Sequence, residues 1–308
     1  MSEILISLAL YLAALAGAPL FMAFILKVKA FFCGKKGPPL LIRYQTLAKL
    51  LRKGTVYSTS TSFVFRTAPL VGLGASLTAL AFLPLAGFPP LFSFAGDMIF
   101  VSYIFGLARF FTILAALDTA SPFEGMGAAR EAMFGMLAEA TIFLVFIVFS
   151  RLSGEYSLAG FLGYGSTISL WQPAAVYLFL VIPALFIVLV VENARVPVDD
   201  PATHLELTMI HEVMILDHSG PDLAFIETAT FIKMLFFAGF IADLLLPRDF
   251  GSLGRGLSFT LLLVLLYVVV GVLESVTARF KLVHVPKFIL TGFALVFFAL
   301  ILSLEAPL

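Results

Sequence analysis

The sequence predicts an all-α integral membrane protein: a bundle of about eight transmembrane helices, with a cytoplasmic amphipathic helix after the first. Three observations predict it. Of 308 residues, 61% are hydrophobic and only 12% charged, against about 25% charged in a soluble domain. Eight apolar runs reach the roughly 20 residues needed to cross a hydrocarbon core. Basic residues gather in alternate connections between those runs.

The first run, 4–26, has no basic n-region and no small-residue cleavage site, so it reads as a span and not a removed signal. The connection 27–62 is rich in Lys and Arg. Within it, 40–53 places Leu40, Leu41, Tyr44, Leu47, Leu50 and Leu51 at helical spacing, with Arg43, Lys49, Arg52 and Lys53 on other faces. A helix lying in the headgroup plane has that pattern. The remaining spans are expected at 63–87, 97–118, 132–151, 172–191, 224–246, 257–276 and 286–305. Gly-Phe-Pro-Pro at 87–90 and Leu-Pro-Arg-Asp at 246–249 read as turns at helix ends. Gly72 and Gly74 read as close helix packing. Spans have no cores of their own, so 1–308 is expected to be a single polytopic domain.

Lys27, Lys29, Lys35 and Lys36, with Arg130, Arg195, Arg279, Lys281 and Lys287, fall on one side; only Arg151, Arg248 and Arg255 fall on the other. The basic side is therefore expected to be cytoplasmic, with both termini outside and the segments 27–62 and 192–222 inside. The formal net charge is zero, which gives no reason to expect a nucleic-acid partner. One cysteine, Cys33, can form neither an internal disulfide nor a cysteine-ligated cluster.

Chemistry is expected where polar groups interrupt the apolar runs, because lipid penalises them. Arg109, Asp118, Glu139, Glu192, Lys233, Asp243 and Glu274 lie within or beside spans and are expected to face inward. Arg109 is mid-span and needs an acid from another helix, Glu139 or Glu192; Lys233 needs one of the same two. In the acidic segment 192–220, Asp200, His204, His211 and His218 recur at spacings that one helix would place near one face. They read as a titratable strip at a cavity mouth, since histidine exchanges protons near neutral pH. The alternatives are structural ion pairs and a solvated loop face. His211-Glu212 begins a zinc motif, but Ile215 stands where the second histidine belongs, so no metal is expected. GxSxG, GxxxxGK[ST] and CxxC are all missing from the sequence.

Four stretches resemble the subunit 1 family of respiratory complex I and its hydrogenase counterparts. They are Lys36-Gly37-Pro38-Pro39 with Tyr44 to Leu50, Phe65-Arg66-Thr67-Ala68-Pro69, Ala108-Arg109 through Asp118-Thr119-Ala120-Ser121-Pro122-Phe123 to Glu139, and Glu192-x-x-Arg195-x-Pro197-x-Asp199 with Glu206-Leu207. The third is very like the formate hydrogenlyase and energy-converting NiFe-hydrogenase branch. The resemblance implies a membrane subunit that carries no redox centre and anchors a peripheral redox arm. It implies proton-path roles for Glu139, Glu192, Asp199 and Glu206, and matches Arg195 to the family arginine. His204, Val198 and Asp217-His218 depart from the family pattern.

The expectation is therefore a non-catalytic anchor and proton-coupling subunit, using Glu139, Glu192, Asp199, Glu206, Arg109, Arg195 and Lys233. It would sit in a bacterial or archaeal cell (inner) membrane. No cofactor is expected on this chain; a NiFe centre and iron–sulfur clusters are expected in partners. Those partners are hydrophilic NiFe-hydrogenase-like large and small subunits, and antiporter-like membrane subunits. The rivals are a quinone chamber of a complex I-like oxidoreductase, an independent transporter and a purely structural anchor. The lack of inverted repeats weighs against a transporter.

Overall fold

The computed structural model describes residues 2–163, 166, 168–171, 175–199, 209–247 and 250–305. Among these, nearly every element is helical: α1 (Ser2–Phe32), α2 (Ile42–Leu51), α3 (Phe63–Ala81), α4 (Asp97–Asp118), α5 (Pro122–Ser153), α6 (Leu158–Leu162), α7 (Ala175–Glu192), α8 (His211–Met214), α9 (Gly220–Leu245), α10 (Ser252–Val276) and α11 (Val285–Glu305). Among the described residues, eight helices are long and apolar enough to cross a membrane. The chain is a multi-pass membrane protein, and α2 is the short surface helix expected after the first span.

Local chemistry sets the boundaries. The Ser62 hydroxyl accepts from Val64 N (3.2 Å) and opens α3. The far end of α4 holds the same residue, where Asp118 accepts from Ser62 N at 2.6 Å and from its hydroxyl at 2.9 Å. Pro122 lies in the first turn of α5, where its missing N–H costs nothing. Hydropathy places the start of this span at 132, because Arg130 and Glu131 resemble a connection; the helix instead begins at Pro122, and both charges find partners within the fold. The third element ends at Ala81, short of the expected 87, and the chain then turns through Ala86 and Gly87 at positive φ. Pro183 stays inside α7, on its exposed side.

Helix α9 is the most enclosed; α3, α10, α2 and α1 pack against it. α3 also packs on α4, α4 on α5, and α11 on α5 and α7. Gly271 makes the crossing of α1 and α10 close: a methyl there would lie 2.9 Å from Val28 Cβ. The expectation for Gly72 and Gly74 is not met, since a methyl at either would touch nothing within 4 Å. Gly72 instead lines a cavity, described next.

Candidate functional site

The polar residues converge at the end of the bundle where α7 stops. Ala194 there adopts φ 51°, a left-handed conformation costing about 1–2 kcal/mol for a residue with a side chain. The turn closes with Arg195 N donating to Val190 O at 2.9 Å. It reverses the chain so that Glu192, Arg195 and Asp199 are all buried.

Arg109, on α4, is the hub. Its Nε lies 3.0 Å from Glu131 Oε1, and its two terminal nitrogens bond Glu139 and Glu192. One planar fork thus holds three carboxylates from α5 and α7 in fixed directions, which a lysine ammonium, a compact point charge, does not set. Gly135 makes the space: a methyl there would lie 2.6 Å from Arg109 Nε. Lys233 on α9 reaches Glu192 Oε2 at 2.6 Å and faces the Phe105 ring. Both partners expected for Arg109 are present, and the partner of Lys233 is Glu192.

The network continues outward through Glu131, a residue that hydropathy does not single out. Glu131 Oε2 lies 3.2 Å from His211 Nε2, and His211 Nδ1 lies 3.7 Å from Asp199 Oδ2. Asp199 also accepts from the backbone N–H of Ile210 (3.1 Å) and His211 (3.0 Å), while its other oxygen meets Arg279 at 2.9 Å. Burial alone would raise the Asp199 pKa, but the His211 hydrogen bond and charge, with Arg279, hold it below the usual carboxylate value. Burial likewise opposes charging of His211, yet Glu131 and Asp199 outweigh it and raise its pKa. Ionic contacts therefore run unbroken from Lys233 through Glu192, Arg109, Glu131, His211 and Asp199 to Arg279.

Arg195 belongs to a separate group. It meets Glu274 at 3.3 Å and Met22 Sδ at 3.4 Å, and Glu274 in turn meets Lys29 at 3.0 Å. Both groups clamp the 193–199 turn, and Phe280 N adds a bond to Pro197 O at 2.9 Å. The structure does not show a single helix carrying a histidine strip. Among the described residues of the segment, helix covers His211–Met214, a turn follows, and α9 starts at Gly220. His211 joins the ionic network, whereas His218 stacks on Phe65 at 3.9 Å and 6°. Burial pushes the His218 pKa down to about 4. Asp200, His204 and Glu206 lie outside the described residues.

A cavity of about 220 Å³ adjoins both groups. Its polar lining includes Arg109, Glu131, Glu192, His211 and Lys233, and its apolar lining Ala68, Pro69, Phe105 and Ile226. A second cavity of about 30 Å³ lies beside Arg109, Glu139 and Glu192, among Phe105, Phe236 and Phe237. Glu139 is the least enclosed member of the network, its side chain 35% exposed. One signal in the sequence does point to Glu131: it stands eight residues before Glu139, on the same side of a helix.

Residues 4–304 match the NADH dehydrogenase family. Formate hydrogenlyase subunit 4 of Escherichia coli (strain K12) is 29% identical over 301 residues, covering 94% of this chain and 95% of its own. Hydrogenase-4 component C of the same organism is 29% identical over 275 residues, covering 86% and 85%. A chain of the membrane-bound sulfane sulfur reductase, an archaeal respiratory membrane complex, shares the fold with TM-score 0.81 at 18% identity, over 98% of this chain and all of its own. With a match running almost end to end, this chain belongs to the NADH dehydrogenase family.

Proposed function

We propose that the chain is the non-catalytic membrane subunit of an energy-converting NiFe-hydrogenase or formate hydrogenlyase-type complex. It docks a hydrophilic redox arm of large and small subunits, which hold the NiFe centre and iron–sulfur clusters. It couples their electron transfer to proton movement. The basic end of the bundle faces the cytoplasm and the termini face outward. The observation that carries this reading is the unbroken ionic chain from Arg279 to Lys233 centred on Arg109.

The physical link is electrostatic. A charge change beside the 209–219 segment shifts the balance between His211, Asp199 and Glu131. Arg109 passes that change inward, because one guanidinium is shared by three carboxylates: weakening one bond strengthens the others. Glu139, partly exposed on the α5 flank, is where a neighbouring antiporter-like membrane subunit would take over. The test is Glu192→Gln and Glu139→Gln in membrane vesicles. Hydrogen evolution is expected to continue while coupled proton uptake falls. Unchanged uptake at normal evolution would overturn the relay.

The 220 Å³ cavity, lined by both apolar and charged residues, favours a second reading, a quinone chamber. That reading requires quinone-dependent turnover by the purified complex, and its absence with an active hydrogenase removes it.

A further inference from the structure

One pair of cavity residues takes no part in either ionic group. Arg43 projects from α2, and Glu227 from α9, which packs against it. Both line the cavity. Arg43 Nε and Glu227 Oε2 are buried and have no hydrogen-bond partner. Among the described residues, no carboxylate lies within the 4.0 Å of an ion pair with Arg43. The two are near enough to attract: Glu227 opposes the fall in the Arg43 pKa that burial causes. Arg43 stands over the Phe231 ring at 5.7 Å, which fixes its head against α9. A buried donor and a buried acceptor thus face one cavity without meeting each other.

The setting points to lipid. No residue of α2 is buried, and Leu40, Leu41 and Leu51 are exposed, as on a helix lying in the headgroup layer. The cavity is smaller than the roughly 300–1,000 Å³ that drug-sized ligands occupy, so it admits a headgroup and not a whole lipid. We propose that Arg43 and Glu227 bind the headgroup of a phosphatidylethanolamine, Arg43 holding the phosphate and Glu227 the primary ammonium. An anionic headgroup would answer Arg43 and repel Glu227. A choline headgroup brings positive charge but no N–H for the carboxylate. An oxidised quinone accepts from Arg43 and offers Glu227 no donor. Only a zwitterion with N–H groups satisfies both ends. This proposal does not depend on the proton-coupling reading.

The test uses the intact complex purified from membranes, and measures bound lipid by native mass spectrometry and extraction. Phosphatidylethanolamine is expected to be retained after detergent washing that removes phosphatidylglycerol. Arg43→Gln and Glu227→Gln each remove one charge-assisted bond, so retention should fall about tenfold. Lys36→Gln, which alters the basic surface outside the cavity, should leave it unchanged. If Arg43→Gln fails to assemble, competition on the unaltered complex decides. Delipidated protein is placed in vesicles of phosphatidylcholine doped with phosphatidylethanolamine or phosphatidylglycerol, and the retained lipid is identified. Equal retention of any two headgroups overturns the assignment. So do undiminished retention in Glu227→Gln, a water bridge alone between the two side chains in a high-resolution map, and recovery of quinone in place of lipid.

Discussion

Gly135 and Arg109 interlock: the α5 residue without a side chain lies where the α4 guanidinium crosses, and a methyl would intrude to 2.6 Å of Nε. Gly135→Ala is therefore expected to displace the hub of the ionic network. Overpacking of this kind costs about 1–3 kcal/mol, visible as a lower thermal midpoint of the purified complex and weaker coupled proton uptake. Gly74→Ala, on an exposed face with nothing within 4 Å, is the matched control and should lower neither, a mid-helix alanine being if anything slightly stabilising.

Removing the hub itself is expected to be worse. Arg109→Met leaves Glu131 and Glu192 buried without their shared cation, a loss of about 3–5 kcal/mol when one partner of a buried pair is removed. Adding Glu131→Gln and Glu192→Gln should restore part of the assembled fraction, measured by size-exclusion of the complex, because the two buried carboxylates are neutralised, while Lys233 loses its Glu192 partner. Arg109→Lys should assemble better than Arg109→Met yet couple poorly. If the triple variant assembles no better than Arg109→Met, charge compensation is not what the hub provides.

A pH effect follows from His218. Unfolded, it takes up a proton near 6.5; folded, burial delays uptake to about 4. Between those values the unfolded chain binds more protons, so stability falls as the medium is acidified through that window, by up to about one proton's worth of slope. Phenylalanine keeps the stack on Phe65 and cannot titrate. His218→Phe should therefore flatten that part of the curve of thermal midpoint against pH. An unchanged slope would assign the effect to another group.

The turn after α7 offers a backbone test. Ala194 at φ 51° bears strain that glycine would not. Ala194→Gly should be neutral or stabilising by up to about 1 kcal/mol, whereas Ala194→Val should lower assembly, because a branched side chain tolerates that conformation worst. Equal behaviour of the two variants would show that the turn relaxes freely.

Much of the site is legible in the sequence, for one reason: lipid makes charge conspicuous. Arg109, Glu139, Glu192 and Lys233 stand out in apolar runs, and the rule that such groups pair points to their mutual contacts from composition alone. Glu131 is hidden because, beside Arg130, it looks like the last of a loop. Gly135 carries no signal at all, since its role is an absence of atoms that matters only once α4 crosses. Arg279 and Glu274 find Asp199 and Arg195 across about 80 residues of chain, and nothing in spacing encodes such pairings. His211 and His218 mislead because a regular spacing suggests one helix, while between them the chain makes a single turn of helix and bends before α9 starts at Gly220.

Helix α5 has 32 residues, so at 1.5 Å each it runs about 48 Å, well beyond the roughly 30 Å of hydrocarbon. Its inner side carries three acids in succession. Glu124 receives Asp217 N at 3.2 Å, Glu131 meets His211, and Glu139 meets Arg109. The tongue that bears His211 and Asp217 is thus fastened twice to one stiff rod, whose third fastening lies deep along its length. A nudge delivered to the tongue by a neighbouring protein would reach that depth as a rigid translation of the whole rod, with no intervening joint to absorb it.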